Sequence, residues 1–276
     1  GMGKTITCQR LVRWLDEKLL EQHDVRTPLY FDLRHVTGLQ HGVPTLRATV
    51  EECIARGWTA TKGALSFGDV ETLMDQGALA VFDGLDEVLV KVSEADGQTF
   101  TNQLIKLLAD SRERRTHEPT TATPEPRLLI SCRTQYFRTL RDQRTHFTGQ
   151  ERGGHGPEAC RALVLLPFNE LQIAQYLEAA TEGTDPKHLL AVIDAVHDLA
   201  DLTRRPYTLK LVGEFVPEVQ KEDATGRQVT GLTLYRRVVQ RWLDRDSGKH
   251  HLRPEHKLRL AQDLAAEMSR IGANVL

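Results

Sequence analysis

Cysteine is scarce in this sequence. Four thiols, Cys8, Cys53, Cys132 and Cys160, are spread over 276 residues without a close pair. That scatter excludes the spacing of a zinc site or of a Cys-x-x-Cys redox motif, and reduced thiols are expected. Net charge is nearly absent as well: 36 Lys and Arg stand against 38 Asp and Glu, a formal balance of −2. The broad basic footprint that phosphate-backbone binding needs is therefore missing, and no nucleic acid is indicated. Basic residues crowd at 111–115 and 138–144, but acids interrupt both runs, so they read as solvated helix faces. No apolar run approaches the ~20 residues that span a bilayer, and no charged-then-apolar signal segment opens the chain. No membrane is expected, and the location expected is cytoplasmic.

What is present is ordinary for a folded protein, with 40% apolar and 27% charged residues. The length suits one large α/β domain with smaller helical additions. Gly1-Met2-Gly3-Lys4-Thr5 runs into a helical spacing of Ile6, Leu11, Val12, Trp14, Leu15 and Leu19. Residues 28–33 read as a strand, 45–58 and 69–76 as helices, and 78–82 as a continuous apolar strand that ends in acids. A helix at 98–112, a Thr- and Pro-rich loop at 116–126 and a strand at 127–131 follow. Strands alternating with helices predict a doubly wound parallel sheet, with ligands beyond the carboxyl ends of its strands. After a Gly-rich loop at 153–156 and a strand-like run at 161–166 the pattern turns helical. Helices are expected at 169–181, 186–202, 206–216, 232–245 and 254–271, with a polar separator at 220–231.

Two segments carry chemistry. Gly3-Lys4-Thr5 at the start of a helix has the form of the second half of a phosphate-binding loop, where backbone N–H groups and the helix dipole hold phosphate oxygens. In that reading Gly1, Gly3 and Ile6 help shape the nucleotide site, Lys4 reaches the β- and γ-phosphates, and the Thr5 hydroxyl is a Mg2+ ligand. Then Val81-Phe82-Asp83-Gly84-Leu85-Asp86-Glu87 puts three carboxylates just past a buried strand. Asp83 could hold Mg2+ directly or through water, and Asp86 or Glu87 could orient or deprotonate an attacking water. The bland reading of the same residues is an acidic surface turn.

Asp83-Gly84-Leu85-Asp86-Glu87 resembles the extended Walker B box of NACHT domains, members of the STAND class of P-loop NTPases. Leu128-Leu129-Ile130-Ser131-Cys132-Arg133 resembles the family's sensor strand, which implies that Arg133 senses the γ-phosphate; an arginine at a strand end also commonly serves as a plain ion-pair partner. Leu165-Leu166-Pro167-Phe168-Asn169, with Ile173 and Tyr176, is similar to the junction into the family's first helical subdomain. The segment from Leu202 to Leu209 resembles the one whose proline, here Pro206, packs against adenine, although proline also starts helices for local reasons. Leu234-Tyr235 through Trp242-Leu243 resemble the entry to a winged-helix domain. No winged-helix histidine aligns, and His250 and His251 read as exposed polar residues.

The resemblance implies a P-loop α/β domain over 1–166, a helical subdomain over 167–220 and a partial winged-helix domain over 221–276. It further implies that the first loop glycine and the strand before it precede Gly1. The expected activity is ATP binding and slow Mg2+-dependent hydrolysis, with exchange of ADP for ATP driving self-association through this core. Effector and sensor domains would flank it, as in signalling or immune defence. Two alternatives remain: an AAA-type mechanical ATPase, with Arg112, Arg114 or Arg115 as an arginine finger, and a non-hydrolysing scaffold of the same fold.

Overall fold

Residues 79–83, Leu-Ala-Val-Phe-Asp, are buried at every position. Such a strand needs cover on both faces and a neighbour on each edge. A computed structural model, which describes residues 3–21, 26–57, 65–117, 124–133, 161–180, 203–224, 231–245 and 252–271, provides both. This strand, β2 (Leu79–Asp83), lies between β1 (Pro28–Asp32) and β3 (Arg127–Ile130) in an all-parallel sheet of order β1-β2-β3. The register aligns Leu29 with Ala80 and Leu128, Tyr30 with Val81 and Leu129, and Phe31 with Phe82 and Ile130.

Because successive side chains point to opposite faces, these rows divide between two cores. The row of Tyr30, Val81 and Leu129, with Leu79, packs against Cys8, Leu11, Val12 and Leu15 of α1 (Lys4–Glu21). The rows on the other face join Val50, Cys53 and Ile54 of α2 (Leu46–Gly57) and Val70 and Met74 of α3 (Phe67–Asp75). They also meet Val88 and Leu89 of the short helix α4 (Leu85–Leu89) and Phe100, Leu104 and Leu107 of α5 (Glu94–His117). Phe31 and Phe82 stack with ring centroids 5.0 Å apart in the middle of this second core. Helices thus cover both faces of the parallel sheet.

Helix ends are set by local hydrogen bonds. Ser66 and Asp69 form a reciprocal capping box, which starts α3 at Phe67 rather than at the expected residue 69. Ser93 Oγ accepts the Asp96 N–H at 3.2 Å, so α5 begins at Glu94 and runs to His117, longer at both ends than the expected 98–112. Between α3 and β2 the chain turns at Gly77, whose φ is +93°. A Cβ there would lie 2.1 Å from the Pro124 carbonyl oxygen, so only glycine fits.

The expected strand at 161–166 is not formed. The described residues 161–169 have no regular secondary structure, and Leu163, Val164, Leu165 and Leu166 are 40% to 87% exposed. An apolar run becomes a strand only where a neighbouring ladder takes up its N–H and C=O groups, and none of the described strands does so.

The chain divides into two compact units, Lys4–Val164 and Leu165–Leu276, the latter including Gly1–Gly3. Among its described residues the second unit is helical. Asn169 and Gln172 cap each other's backbone N–H groups, at 2.9 and 3.1 Å, and start α6 (Glu170–Ala180). Then come α7 (Pro206–Ala224), α8 (Gly231–Arg245) and α9 (Pro254–Arg270). Helix α7 continues well past the expected end at residue 216 and takes in the start of the expected separator. Buried Ile173, Leu177, Leu209, Leu211, Val212, Val238 and Leu243 supply the apolar contacts, and Arg241 of α8 pairs with Glu214 of α7 at 3.8 Å. Among the described residues no helix is long and apolar enough to cross a membrane. Gly1, Cys160, His250, His251, the loop at 153–156, the basic run at 138–144 and the expected helix at 186–202 lie outside the described residues.

Candidate functional site at the carboxyl edge of the sheet

All three strands point their carboxyl ends the same way, so the residues just after them share one edge. Asp83 ends β2, and Gly84, at φ +88°, turns the chain directly into α4. The Asp83 residue is 2% exposed and accepts a hydroxyl proton on each oxygen. Tyr30 Oη donates to Oδ2 at 2.9 Å, and Ser131 Oγ donates to Oδ1. Ser131 Oγ in turn accepts the Gly84 N–H at 2.9 Å. Its backbone continues the stitching, with the Ser131 N–H to the Phe82 carbonyl and the Leu85 N–H to the Ser131 carbonyl, both at 2.9 Å. The residue after β3 therefore fixes both Asp83 and the turn that follows it.

Two residues further on, Arg133 performs the same service for the acidic pair. Its N–H donates to Asp86 Oδ1 at 3.0 Å, and its Nε meets Asp86 Oδ2 at 3.0 Å. The Nη2 group of Arg133 lies 3.4 Å from Glu87 Oε1. The Asp86 side chain is 8% exposed and that of Glu87 is 36% exposed, so Asp86 is the anchored acid and Glu87 the accessible one. After β1, Asp32 is held by the forked guanidinium of Arg34, with Nε at 2.9 and 3.1 Å from the two oxygens. Burial alone would raise the Asp32 pKa, but the Arg34 side-chain and backbone hydrogen bonds outweigh it and leave it below the usual carboxylate value.

Lys4 and Thr5 open α1 and are half-buried, and Ile6 is 68% exposed. The positive charge of Lys4 acts on the thiols of Cys8 and Cys132. Burial, then the neighbouring Asp83 carboxylate, pushes the Cys8 thiol up to about 11. Burial and Asp86 push Cys132 up to about 12. Lys4, Asp83, Asp86, Glu87 and Arg133 thus belong to one electrostatic neighbourhood. Within the other unit, Gly3 has φ +82°, and a Cβ there would sit 3.5 Å from Pro206 Cγ, an ordinary contact. It is the backbone angle that requires glycine at this position.

Sequence reasoning passed over Tyr30. The signal was its parity: it lies two residues before Asp32, in register with Val81, which lies two before Asp83, and so on the same face. Two of the three candidate arginine fingers are engaged within the chain. Arg114 forks Asp75 at 2.8 and 3.0 Å and reaches Glu71 at 3.3 Å, and Arg115 donates to the Asp75 carbonyl.

Among the described residues no group of three or more His, Cys, Asp and Glu is arranged to hold a metal ion unaided. Asp83 takes one hydroxyl on each oxygen, has the Cys8 thiol beside it, and as a carboxylate keeps acceptor capacity beyond these contacts. That donor chemistry at Asp83 fits a Mg2+ ion whose other ligands are phosphate oxygens and water. No family model, curated protein or solved structure matches the chain.

Proposed function

We propose that this chain is the nucleotide-binding core of a NACHT-type P-loop ATPase that works as a nucleotide-dependent switch in signalling. The observation that carries the reading is the convergence of Asp83, Ser131 and Arg133 at the carboxyl edge of a parallel sheet, with Lys4 of α1 in the same electrostatic neighbourhood. Helices on both faces of the sheet and an acidic box behind a fully buried strand support it. In doubly wound folds this edge is where nucleotides bind.

In this reading Lys4 and the N–H groups opening α1 take the β- and γ-phosphates of ATP. Thr5 and Asp83 hold Mg2+, which neutralises charge developing on the phosphates. Glu87, the more exposed acid, orients the attacking water, while Asp86 stays bound to Arg133. Arg133 exchanges its Glu87 contact for the γ-phosphate, so that ATP and ADP leave the β3 end in different states. The segment 221–276 begins a winged-helix domain. A ligand shifts a switch only by binding its two states differently, and Arg133 is the residue that tells them apart. The output is self-association through the core, with effector and sensor domains flanking it.

The engagement of Arg114 and Arg115 with Asp75 and Glu71 leaves Arg112 as the candidate finger for a mechanical ring ATPase, which needs an arginine to reach across a subunit boundary. The test is equilibrium binding of ADP and ATP to the full-length protein with Mg2+, beside Lys4→Ala. Tight binding lost in the variant is expected. Equal binding by both proteins would remove the phosphate site, and identical scattering profiles with ADP and ATP would remove the switch.

A further inference from the structure

Three buried aspartates sit at the carboxyl edge, and they are held in two different ways. Asp32 is paired with the Arg34 guanidinium and Asp86 with that of Arg133. Asp83, the most buried of the three, makes no ion pair among the described residues and is held through hydroxyls, Tyr30 on one oxygen and Ser131 on the other. An arginine partner would orient a carboxylate and cancel its charge. Neutral hydroxyls orient it and leave the charge standing. Arg34 acts on Asp83 without an ion-pair contact, so the carboxylate itself is left open to a cation that can touch it.

We propose that Tyr30 is a positioning residue for Mg2+: its hydroxyl locks the Asp83 carboxylate, without neutralising it, in the orientation that receives the metal of a Mg2+-nucleotide. This rests on the nucleotide-site reading above. The placement is local and rigid. Tyr30 is the central residue of β1, in register with Val81, and its ring packs against the cluster of Cys8 and Leu15 of α1 with Leu79 and Val81. From there its hydroxyl reaches forward along the sheet to the end of the neighbouring strand. Gln9, on the same helix as Lys4 and Thr5, lies beside the phenol. Tyr30 thereby stands between the helix that carries Lys4 and Thr5, on which its ring packs, and the metal aspartate, which its hydroxyl holds. Residues that orient a metal ligand in this way commonly govern 10–100-fold in metal affinity.

The test uses the full-length protein and its Tyr30→Phe variant, which keeps the ring and removes the hydroxyl. ADP affinity is titrated against Mg2+ concentration and again in excess EDTA, and Mn2+ bound in the ternary complex is counted by its paramagnetic resonance signal. The expected result is a Mg2+ midpoint raised about tenfold or more, with ADP affinity in EDTA unchanged. Melting in EDTA checks the fold, and Ser131→Ala, which frees the other oxygen, shifts the midpoint the same way. A wild-type midpoint in Tyr30→Phe, or ADP affinity lost equally with and without metal, overturns the role of Tyr30 and leaves the site standing. Wild-type protein that binds ADP no better with Mg2+ than with EDTA overturns the metal site itself, and this inference with it.

Discussion

Arg133 closes on Asp86 with two groups, its backbone N–H and its guanidinium Nε, each 3.0 Å from a different carboxylate oxygen. The pair joins the end of β3 to the first turn of α4, and it leaves Glu87 with a single 3.4 Å contact. The two adjacent acids are therefore predicted to fail differently. Asp86→Ala strands the Arg133 N–H and costs about 1.5–3 kcal/mol of stability, read by denaturant unfolding. Glu87→Gln leaves the unfolding midpoint in place and lowers phosphate release by roughly 100-fold or more, as for loss of a general base. Equal destabilisation by both substitutions would show that the acids share one structural task.

Ser131 is the second pivot of the same edge. Ser131→Ala removes the acceptor of the Gly84 N–H and the donor to Asp83 Oδ1 together. A loss of about 1–3 kcal/mol is expected, because the half-buried Gly84 N–H and one oxygen of buried Asp83 each lose their partner. Ser131→Thr, which keeps the hydroxyl, should recover most of it. If alanine melts like wild type, the stitching between β3 and the Asp83 turn carries no stability.

The thiols set the alkaline limit. The ordinary thiol value is 9.0, and in the folded chain Cys8 is raised to about 11 and Cys53 and Cys132 to about 12, in each case chiefly by burial. A folded state that holds its protons more tightly loses stability as pH rises, so the sign is fixed. Stability should be insensitive to these thiols below pH 9.0 and should fall as pH climbs through 11 and 12. At pH 8 their alkylation should be much slower in the folded than in the urea-denatured protein. Fast alkylation of folded Cys8 would place its thiol outside the Asp83 environment.

Two glycines separate backbone strain from collision. Gly38 has φ +71° and open space around its missing Cβ, whereas Gly77 has φ +93° and the Pro124 carbonyl 2.1 Å away. Gly38→Ala is expected to cost about 1–2 kcal/mol, the left-handed penalty alone. Gly77→Ala is expected to cost about 3 kcal/mol or more and to lower the melting temperature by roughly 6–12 °C. Melting curves of the two variants decide it.

The three strands were legible because each is an apolar run bounded by turn residues, and the acids after Phe82 marked the edge that matters. The helix starts at Phe67 and Glu94 were equally written in the Ser-x-x-Asp spacings of Ser66 to Asp69 and Ser93 to Asp96, but they were outweighed by apolar period. Residues 161–166 misled for the opposite reason: their apolarity is real, but a strand is a relation between two segments and one segment cannot declare it. Tyr30 was hidden likewise. Its role depends on register with a strand about fifty residues away, which no local pattern records.

The alternation of β2 has a final consequence for sequence change. Asp83 faces α1 only because it stands an even number of residues from Leu79 and Val81, which pack on that helix. Inserting one residue within 79–82 would keep every amino-acid type and turn the carboxylate into the opposite core, beside the stacked phenylalanines. Inserting two would restore the face but advance the acid by about 7 Å, beyond the hydroxyls that hold it. Variation in length should therefore be far less tolerated here than variation in side chain, and a screen of single-residue insertions along the chain should show 79–83 as a sharp gap among the survivors.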